Sequence, residues 1–250
     1  MDFSGDTLHK NPLARPTSGG ILPPQRISAA RMVIIESNRM QAELLHFFCT
    51  SYWGFDVPAV EKSGSDGVLA VTRIKPELVL ATLTPPDLGQ ADFIYQLHCA
   101  APAAKLILLA AQCNEYLVHT IGSSEYHGLI FAAEESLCSL GQAIERVRQG
   151  TRFISPRIVQ CQTTLRTAPA SFPKMLSKRE QEVLICIAHS LSDEEIALQL
   201  GFSEGTALSH RRKLMGKLDI HSTPKLIRYC ADKGFNSVPP PSRSVPVEQK

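Results

Sequence analysis

A run of basic side chains in the carboxyl-terminal part of the chain has the residue types that bind a polyanion. Four basic residues fall between positions 208 and 218, namely Arg211, Arg212, Lys213 and Lys217, and no acidic residue interrupts them. Lysine and arginine neutralise phosphates, and arginine also pairs with the edges of bases. Because the chain carries a formal net charge of only +2, nucleic-acid binding has to depend on this local patch. The alternative interpretation is a solvated face of a small helical bundle, since charge runs are common.

Other chemically active residue types are scattered. The eight histidines are dispersed, and the seven cysteines never stand as Cys-x-x-Cys, which excludes a zinc ribbon and argues against a disulfide framework. Neither a glycine-rich phosphate loop nor a nucleophile motif is present. No signal segment opens the chain, and its longest apolar run, 106–111, is too short to cross a bilayer. We therefore predict a cytoplasmic protein with no catalytic residue, metal, cofactor or membrane partner.

Capping residues place the basic run on the third of four short helices. The predicted starts are Ser177 with Glu180, Ser192 with Glu195, Ser203, and Ser222 with Pro224. Gly201 and Gly234 end the second and fourth helices. At about 100° per residue, the third helix turns Ala207, Leu214 and Leu218 inward. Its outer face is made of small residues and one cation, Gly205, Ser209, Arg212 and Gly216, with Lys213 and Lys217 on one shoulder and Leu208 and Met215 on the other.

The motifs of these four helices closely resemble the LuxR-type DNA-binding domain. The segments that carry the resemblance are 176–184, 191–197, 200–206 and 217–222. In that family the third helix enters the major groove and the fourth supplies dimer contacts. The resemblance implies base-contacting roles for Ser209 and Arg212, and positions at or beside the DNA backbone for Thr206, Arg211, Lys213 and Lys217. It implies core or capping roles for Glu180, Leu184, Ile196 and Leu218.

The chain departs from that family at four positions. Where the family usually has Val-Lys, this chain has Ala207-Leu208, so one cation near the bases is missing. Leu208 either contacts a thymine methyl group or weakens binding. Ser190 and Asp219 replace glycines that are common in the family, and we expect Asp219 to adopt the left-handed conformation that aspartate tolerates.

Earlier in the chain, short apolar runs alternate with amphipathic segments. Strands are predicted at 32–35, 55–60, 77–81, 105–109 and 128–131, and helices at 39–50, 66–74, 87–99, 115–124 and 134–149. Five strands alternating with five helices predict an α/β domain with a doubly wound, five-stranded parallel sheet, flavodoxin-like in order. Its functional sites are expected beyond the carboxyl ends of the strands. An all-α domain of four helices follows.

This pattern, with the segment 150–156, resembles response-regulator receiver domains of the NarL/FixJ type. Such a receiver needs paired carboxylates after the first strand, a phospho-accepting Asp, a hydroxyl and a Lys at successive strand ends, which together hold Mg²⁺ and the phosphoryl group. At the matching positions this chain has Glu36 with Ser37, Thr82, Ala110 and Ala132. Only one carboxylate remains, so the resemblance implies a pseudo-receiver with a vestigial phosphorylation pocket.

Three other features of this domain and of the segment that follows it bear on control. Asp87, an acid beyond the third strand, is predicted to cap the helix that follows it. Cys113 and Cys161 are the cysteines that we expect to be least buried, and a redox role for them would need a lowered thiolate pKa. Two other means of control are equally open, namely a ligand in the vacated pocket and a partner protein on the fourth and fifth helices.

The predicted organisation is a flexible tail at 1–30, a receiver-like domain at 31–150, a linker at 151–174, a helix-turn-helix domain at 175–235 and a second tail at 236–250. The expected function is sequence-specific transcriptional regulation on double-stranded promoter DNA, independent of aspartyl phosphorylation. The expected assembly is a homodimer or a heterodimer with a related regulator, associated with the nucleoid when bound. The alternative is an adaptor or sequestering partner of other regulators that has lost DNA affinity through Leu208.

Overall fold

The computed structural model describes residues 30–83 and 87–241. The predicted tails, 1–30 and 236–250, therefore lie outside the described residues except for residue 30 and residues 236–241. Within the described ranges, no helix has both the length and the apolar character that a membrane span requires.

A parallel sheet organises the first domain. Its strands are β1 (Arg31–Ile35), β2 (Asp56–Glu61), β3 (Leu78–Thr82), β4 (Lys105–Ala110), β5 (Gly128–Phe131) and β6 (Phe153–Ile154). They lie in the order β2-β1-β3-β4-β5-β6, and every neighbouring pair is parallel. The predicted doubly wound sheet is confirmed, but the predicted number of five strands is wrong. The sequence pattern misses β6 because two residues cannot show a period of two.

Helices cover both faces of this sheet and enclose two cores. The helices are α1 (Arg39–Phe47), continued by a π-helical turn over Phe48–Tyr52, then α2 (Gly64–Ile74), α3 (Gln90–Ala100), α4 (Glu115–Thr120) and α5 (Leu137–Arg148). One core packs α2, α3 and α4 against the sheet, and the other packs α1 and α5 against the opposite face. Because both faces are covered, the central strands are apolar on both sides, as in parallel sheets generally.

The segment predicted to be a linker has regular structure. It forms β6 and then the helices α6 (Pro156–Thr167) and α7 (Phe172–Met175). Ile158 of α6 is buried in the core of the first domain, and Leu165 packs against the cores of both domains. The polar composition of the segment hides this helix, since only one side of α6 contacts the protein. Residues 151–174 therefore connect the domains through β6, α6 and the start of α7, and α6 packs against the protein.

The last domain consists of α8 (Lys178–Ala188), α9 (Asp193–Leu200), α10 (Glu204–Lys217) and α11 (Thr223–Lys233). Both predicted capping boxes are present, and Gly201 and Gly234 end α9 and α11 in the left-handed conformation. Asp219 has the expected positive φ, 52°, and Ser190 has φ 62°. The first residues of the predicted second tail contact this domain, since His189 Nε2 lies 2.7 Å from the carbonyl oxygen of Val238.

Candidate nucleic-acid interface

Helix α10 presents one face to the domain core and another to solvent. Ser203 caps its amino end by accepting a hydrogen bond from the Thr206 amide at 3.2 Å. Ala207 and Leu214 are fully buried, as the helical projection predicts. The core of the domain, built from α8, α9 and α11, therefore fixes the rotation of α10 about its own axis.

The outer face of α10 is open. Thr206, Ser209, Arg212 and Lys213 are exposed, and no ion pair or hydrogen bond from within the described residues engages Arg212 or Lys213. A Cβ atom added at Gly205 or Gly216 would meet nothing within 4 Å. Internal packing therefore does not require these glycines, and their effect is to keep the outer face thin. A thin face that carries free cations suits insertion into a DNA groove.

Leu208 lies at the edge of this face, with 36% of its surface exposed. An apolar side chain here adds contact area without charge. Where the related family usually has a lysine, this chain thus has an apolar side chain at the surface. Contact with a thymine methyl group and weaker DNA binding both stay predictions.

Arg211 points away from the outer face and into the domain. Its Nε donates to Asp193 Oδ1 at 2.7 Å, and its guanidinium also donates to the Leu191 carbonyl at 3.1 Å. The side chains of Arg211 and Asp193 are only 12% and 23% exposed. The position of Arg211 therefore does not support the predicted contact with the DNA backbone. It joins α10 to the start of α9.

Lys217 is also engaged within the domain. Its Nζ donates to Glu180 at 2.8 Å, although 44% of the lysine side chain stays exposed. Burial opposes ionisation of Glu180, but the hydrogen bonds from Lys217 and Ser177 outweigh burial and lower the pKa of this carboxyl. Glu180 thus has the predicted capping role and a second one, because it ties α8 to the end of α10.

A stacked triple of side chains supports the turn before α10, and sequence reasoning missed it. The rings of Phe202 and His210 stack with centroids 5.0 Å apart, and the guanidinium carbon of Arg179 lies 4.3 Å from the Phe202 centroid. Arg179 also donates to the carbonyl of Leu200. The three residues lie on different helices or turns, so no periodicity in the sequence brings them together.

The carboxyl edge of the sheet gathers the residues of the predicted vestigial pocket. Thr82 Oγ1 donates to Glu36 Oε2, and the Asn38 amide donates to Glu36 Oε1 at 2.7 Å. Glu36 is buried, Ser37 is exposed, and the Ala132 amide donates to the Ala110 carbonyl at 3.0 Å. Glu36, Thr82 and Ala132 line one cavity of about 230 Å³, whereas Ser37 and Ala110 do not line it.

Asp87 does not cap the helix that follows it, so that prediction is wrong. Its two carboxylate oxygens accept hydrogen bonds from the amides of Gly64 at 2.7 Å and Ser65 at 2.9 Å, at the start of α2. Bonding to Ser65 is the main reason that the pKa of Asp87 is lowered. Asp87 caps a neighbouring helix because parallel strands bring successive strand-to-helix turns to the same edge of the sheet.

The two cysteines singled out from the sequence lie side by side. Cys113, before α4, and Cys161, on α6, are partly buried against the same core. The prediction that they are the least buried cysteines is wrong, because Cys99 is exposed. Burial raises the pKa of both thiols, that of Cys161 to about 11. A raised pKa leaves little reactive thiolate at neutral pH, which disfavours a fast redox response. In the described part of the chain, no group of three or more metal-binding side chains converges.

Comparison with known proteins identifies the last domain. Residues 174–230 match the model of the LuxR family of bacterial regulatory proteins. The transcriptional regulatory protein MctR of Rhizobium johnstonii is 29% identical over 210 residues, which are 83% of this chain and 95% of that protein. A nitrate/nitrite response regulator homologue of Haemophilus influenzae is 29% identical over 168 residues, which are 67% of this chain and 80% of that protein.

Solved structures show the same two-domain fold. RcsB of Salmonella enterica serovar Typhimurium, bound to promoter rprA in the presence of the phosphomimetic BeF3−, superposes with a TM-score of 0.58 at 16% identity. The match covers 81% of this chain and 98% of that one. The chain thus combines a receiver-like fold with a carboxyl-terminal domain that matches the LuxR family model, and it is similar in sequence to transcriptional and response regulators.

Proposed function

We propose that this response-regulator homologue is a transcriptional regulator that binds double-stranded promoter DNA through the outer face of α10. The observation that carries the proposal is the open face with Ser209 and Arg212 at its centre and the free cation Lys213 beside it. Arg212 would pair with a base edge in the major groove, while Thr206 and Lys213 would contact phosphates. RcsB is the precedent for this fold on DNA.

The structure favours fewer phosphate contacts than the basic run alone would predict. Arg211 is held by Asp193 and Lys217 by Glu180, so only Arg212 and Lys213 are uncommitted cations of the run. Specific binding would accordingly require two copies of the domain on a two-fold site. Dimer contacts would come from the exposed side of α11, where Thr223, Lys225 and Arg228 lie.

We also propose that control of this regulator does not use aspartyl phosphorylation. The position of the phospho-acceptor is Thr82, whose hydroxyl donates to the buried Glu36, and the positions of the switch hydroxyl and the lysine are alanines. Among the positions that match the receiver's phosphorylation residues, Glu36 is the one carboxylate and none is a lysine. These positions therefore offer neither the set of oxygen ligands that Mg²⁺ needs nor a cation for the phosphoryl group. The protein would act in the cytoplasm, on the nucleoid, without catalysing a reaction.

Two matched substitutions on α10 test the DNA contact. Arg212→Ala should relax sequence preference and cost about 1–3 kcal/mol on the best site, if the arginine contacts a guanine. Lys213→Ala should weaken all sequences alike and reduce the slope of log affinity against log salt by about 1. Binding of the wild type and both variants to a promoter library, at several salt concentrations, separates the two effects. If Arg212→Ala behaves like Lys213→Ala, the proposed orientation of α10 is wrong.

Phosphate independence is tested with the same library. Preincubation with a small-molecule phosphodonor and Mg²⁺ should leave the affinity and the mass of the protein unchanged. Phosphodonor-dependent binding would overturn this part of the proposal. If the affinity is the same for every sequence in the library and changes only with salt concentration, sequence-specific regulation is overturned altogether and the adaptor interpretation is favoured.

A further inference from the structure

The cavity at the carboxyl edge of the sheet has the chemistry of a ligand site. It measures about 230 Å³ and opens between α1 and α5. Apolar side chains make up most of its wall, namely Leu44, Leu45, Leu109, Ile130, Leu137 and Leu140. Apolar walls with a few polar groups at one end are typical of small-molecule sites in proteins.

Small residues at two neighbouring strand ends leave this space unfilled. Alanines occupy positions 110 and 111 at the end of β4 and positions 132 and 133 after β5. Ala111 and Ala132 line the cavity directly. A side chain of ordinary length at either position would occupy the volume, so the opening depends on these alanines.

The charge of the lining selects the ligand class. Two carboxylates, Glu36 and Glu135, line the cavity, and its lining contains neither lysine nor arginine. Glu36 is only 3% exposed, and each of its oxygens accepts one hydrogen bond, from Thr82 or from the Asn38 amide. A carboxylate has about four acceptor sites, so capacity for a further donor remains. A cavity with this lining repels phosphate and other anions and attracts a cation.

We propose that this cavity binds a small molecule with an apolar body and a protonated amine, the amine at Glu36 and the body against the leucines. This would replace an anionic signal, the phosphoryl group, by a cationic one at the same edge of the sheet. The inference concerns the first domain alone. The test of this inference contains no DNA, so a negative result would leave the proposed DNA binding intact. Failure of the proposed DNA binding would likewise leave the ligand site intact.

To test this, the full chain is titrated calorimetrically with straight-chain primary alkylamines of four to eight carbons. The alkanols of the same chain lengths are titrated in the same way. Each added methylene should tighten amine binding about fourfold until the cavity is full. An alkanol of equal length should bind at least tenfold more weakly. Glu36→Gln should abolish this preference for the amine.

A matched pair of substitutions assigns the binding to this cavity. Ala132→Leu fills the space and should weaken amine binding at least tenfold. Ala133 is an exposed neighbour that does not line the cavity, so Ala133→Leu should leave amine binding unchanged. The absence of saturable heat with every amine would overturn the proposal. Equal binding by the wild type and Ala132→Leu would overturn it as well.

Discussion

At the residue scale, the basic run divides into side chains that hold the domain together and side chains that are free to bind. Arg211 belongs to the first group. Arg211→Ala should lower the free energy of unfolding by about 1.5–3 kcal/mol, because it leaves Asp193 without the charged partner that now lies 2.7 Å away. Chemical denaturation measures this loss, and Arg212→Ala, on the exposed face, is the control and should change stability little.

A double-mutant cycle then shows whether Arg211 and Asp193 act as a pair. Removing both residues should cost less than the sum of the two single losses, by about 0.5–3 kcal/mol, as expected for groups in direct contact. Additive losses would mean that the ion pair contributes nothing, and Arg211 would again be a candidate for the DNA backbone.

Leu208 is the residue whose substitution should strengthen binding. Leu208→Lys adds a cation at the edge of the open face, at a position that is 36% exposed. We expect tighter binding to DNA and a steeper dependence of log affinity on log salt, by about 0.9 for one additional phosphate contact. Leu208→Gln, similar in length but uncharged, is the matched control. If the glutamine variant binds as tightly as the lysine variant, Leu208 itself is the impediment and charge is irrelevant.

At the element scale, the Glu180–Lys217 contact makes the packing of α8 against α10 dependent on pH. Burial disfavours the charged carboxylate, but the bonds from Lys217 and Ser177 lower the pKa of Glu180 in the folded protein. Because the pKa of this carboxyl is lower in the folded protein than in the unfolded chain, where it is about 4.3, the contact stabilises the fold above the unfolded pKa. This stability is lost as the pH falls through the folded pKa. Wild type should therefore exceed Glu180→Gln in thermal stability at pH 7, and the difference should shrink below about pH 4.

Thermal midpoints of the two proteins between pH 7 and pH 3 measure this effect. Glu194→Gln, an exposed change in the first turn of α9, is the control and should track the wild type at every pH. A difference that stays constant down to pH 3 would show that the carboxylate charge of Glu180 is not what stabilises the contact.

The elements also show how far sequence alone predicts this structure. Serine caps at the starts of α8, α9 and α10 and glycine stops after α9 and α11 are local signals, so these helix ends follow from a few residues each. The buried strands follow from their apolar runs. Helix α6, strand β6 and the cap by Asp87 depend on contacts between distant segments, and such contacts leave no local pattern. The exposed face of α10 was predictable, whereas the internal partners of Arg211 and Lys217 were not.

At the scale of the whole molecule, α4 of the first domain packs directly against the last domain. The Tyr116 ring lies 4.8 Å from that of Phe235 and 6.2 Å from that of Phe172, measured between centroids. Glu115 pairs with Lys233 at 2.5 Å. This interface covers the carboxyl end of α11 and leaves the outer face of α10 exposed. The candidate DNA-binding face is thus uncovered while the two domains are in contact.

Opening this interface should therefore change the shape of the molecule without changing its DNA affinity. Tyr116→Ala removes the ring of the first domain that packs against Phe172 and Phe235, so the domains should separate and the radius of gyration from solution X-ray scattering should rise. Because Ser209, Arg212 and Lys213 are already exposed in the closed form, affinity for the best site should stay within about twofold. Tyr95→Ala, at a tyrosine that is 70% exposed on α3, should change neither quantity. A tenfold gain in affinity for Tyr116→Ala would instead show that domain closure inhibits binding, because a variant can shift affinity only by populating a state that binds better.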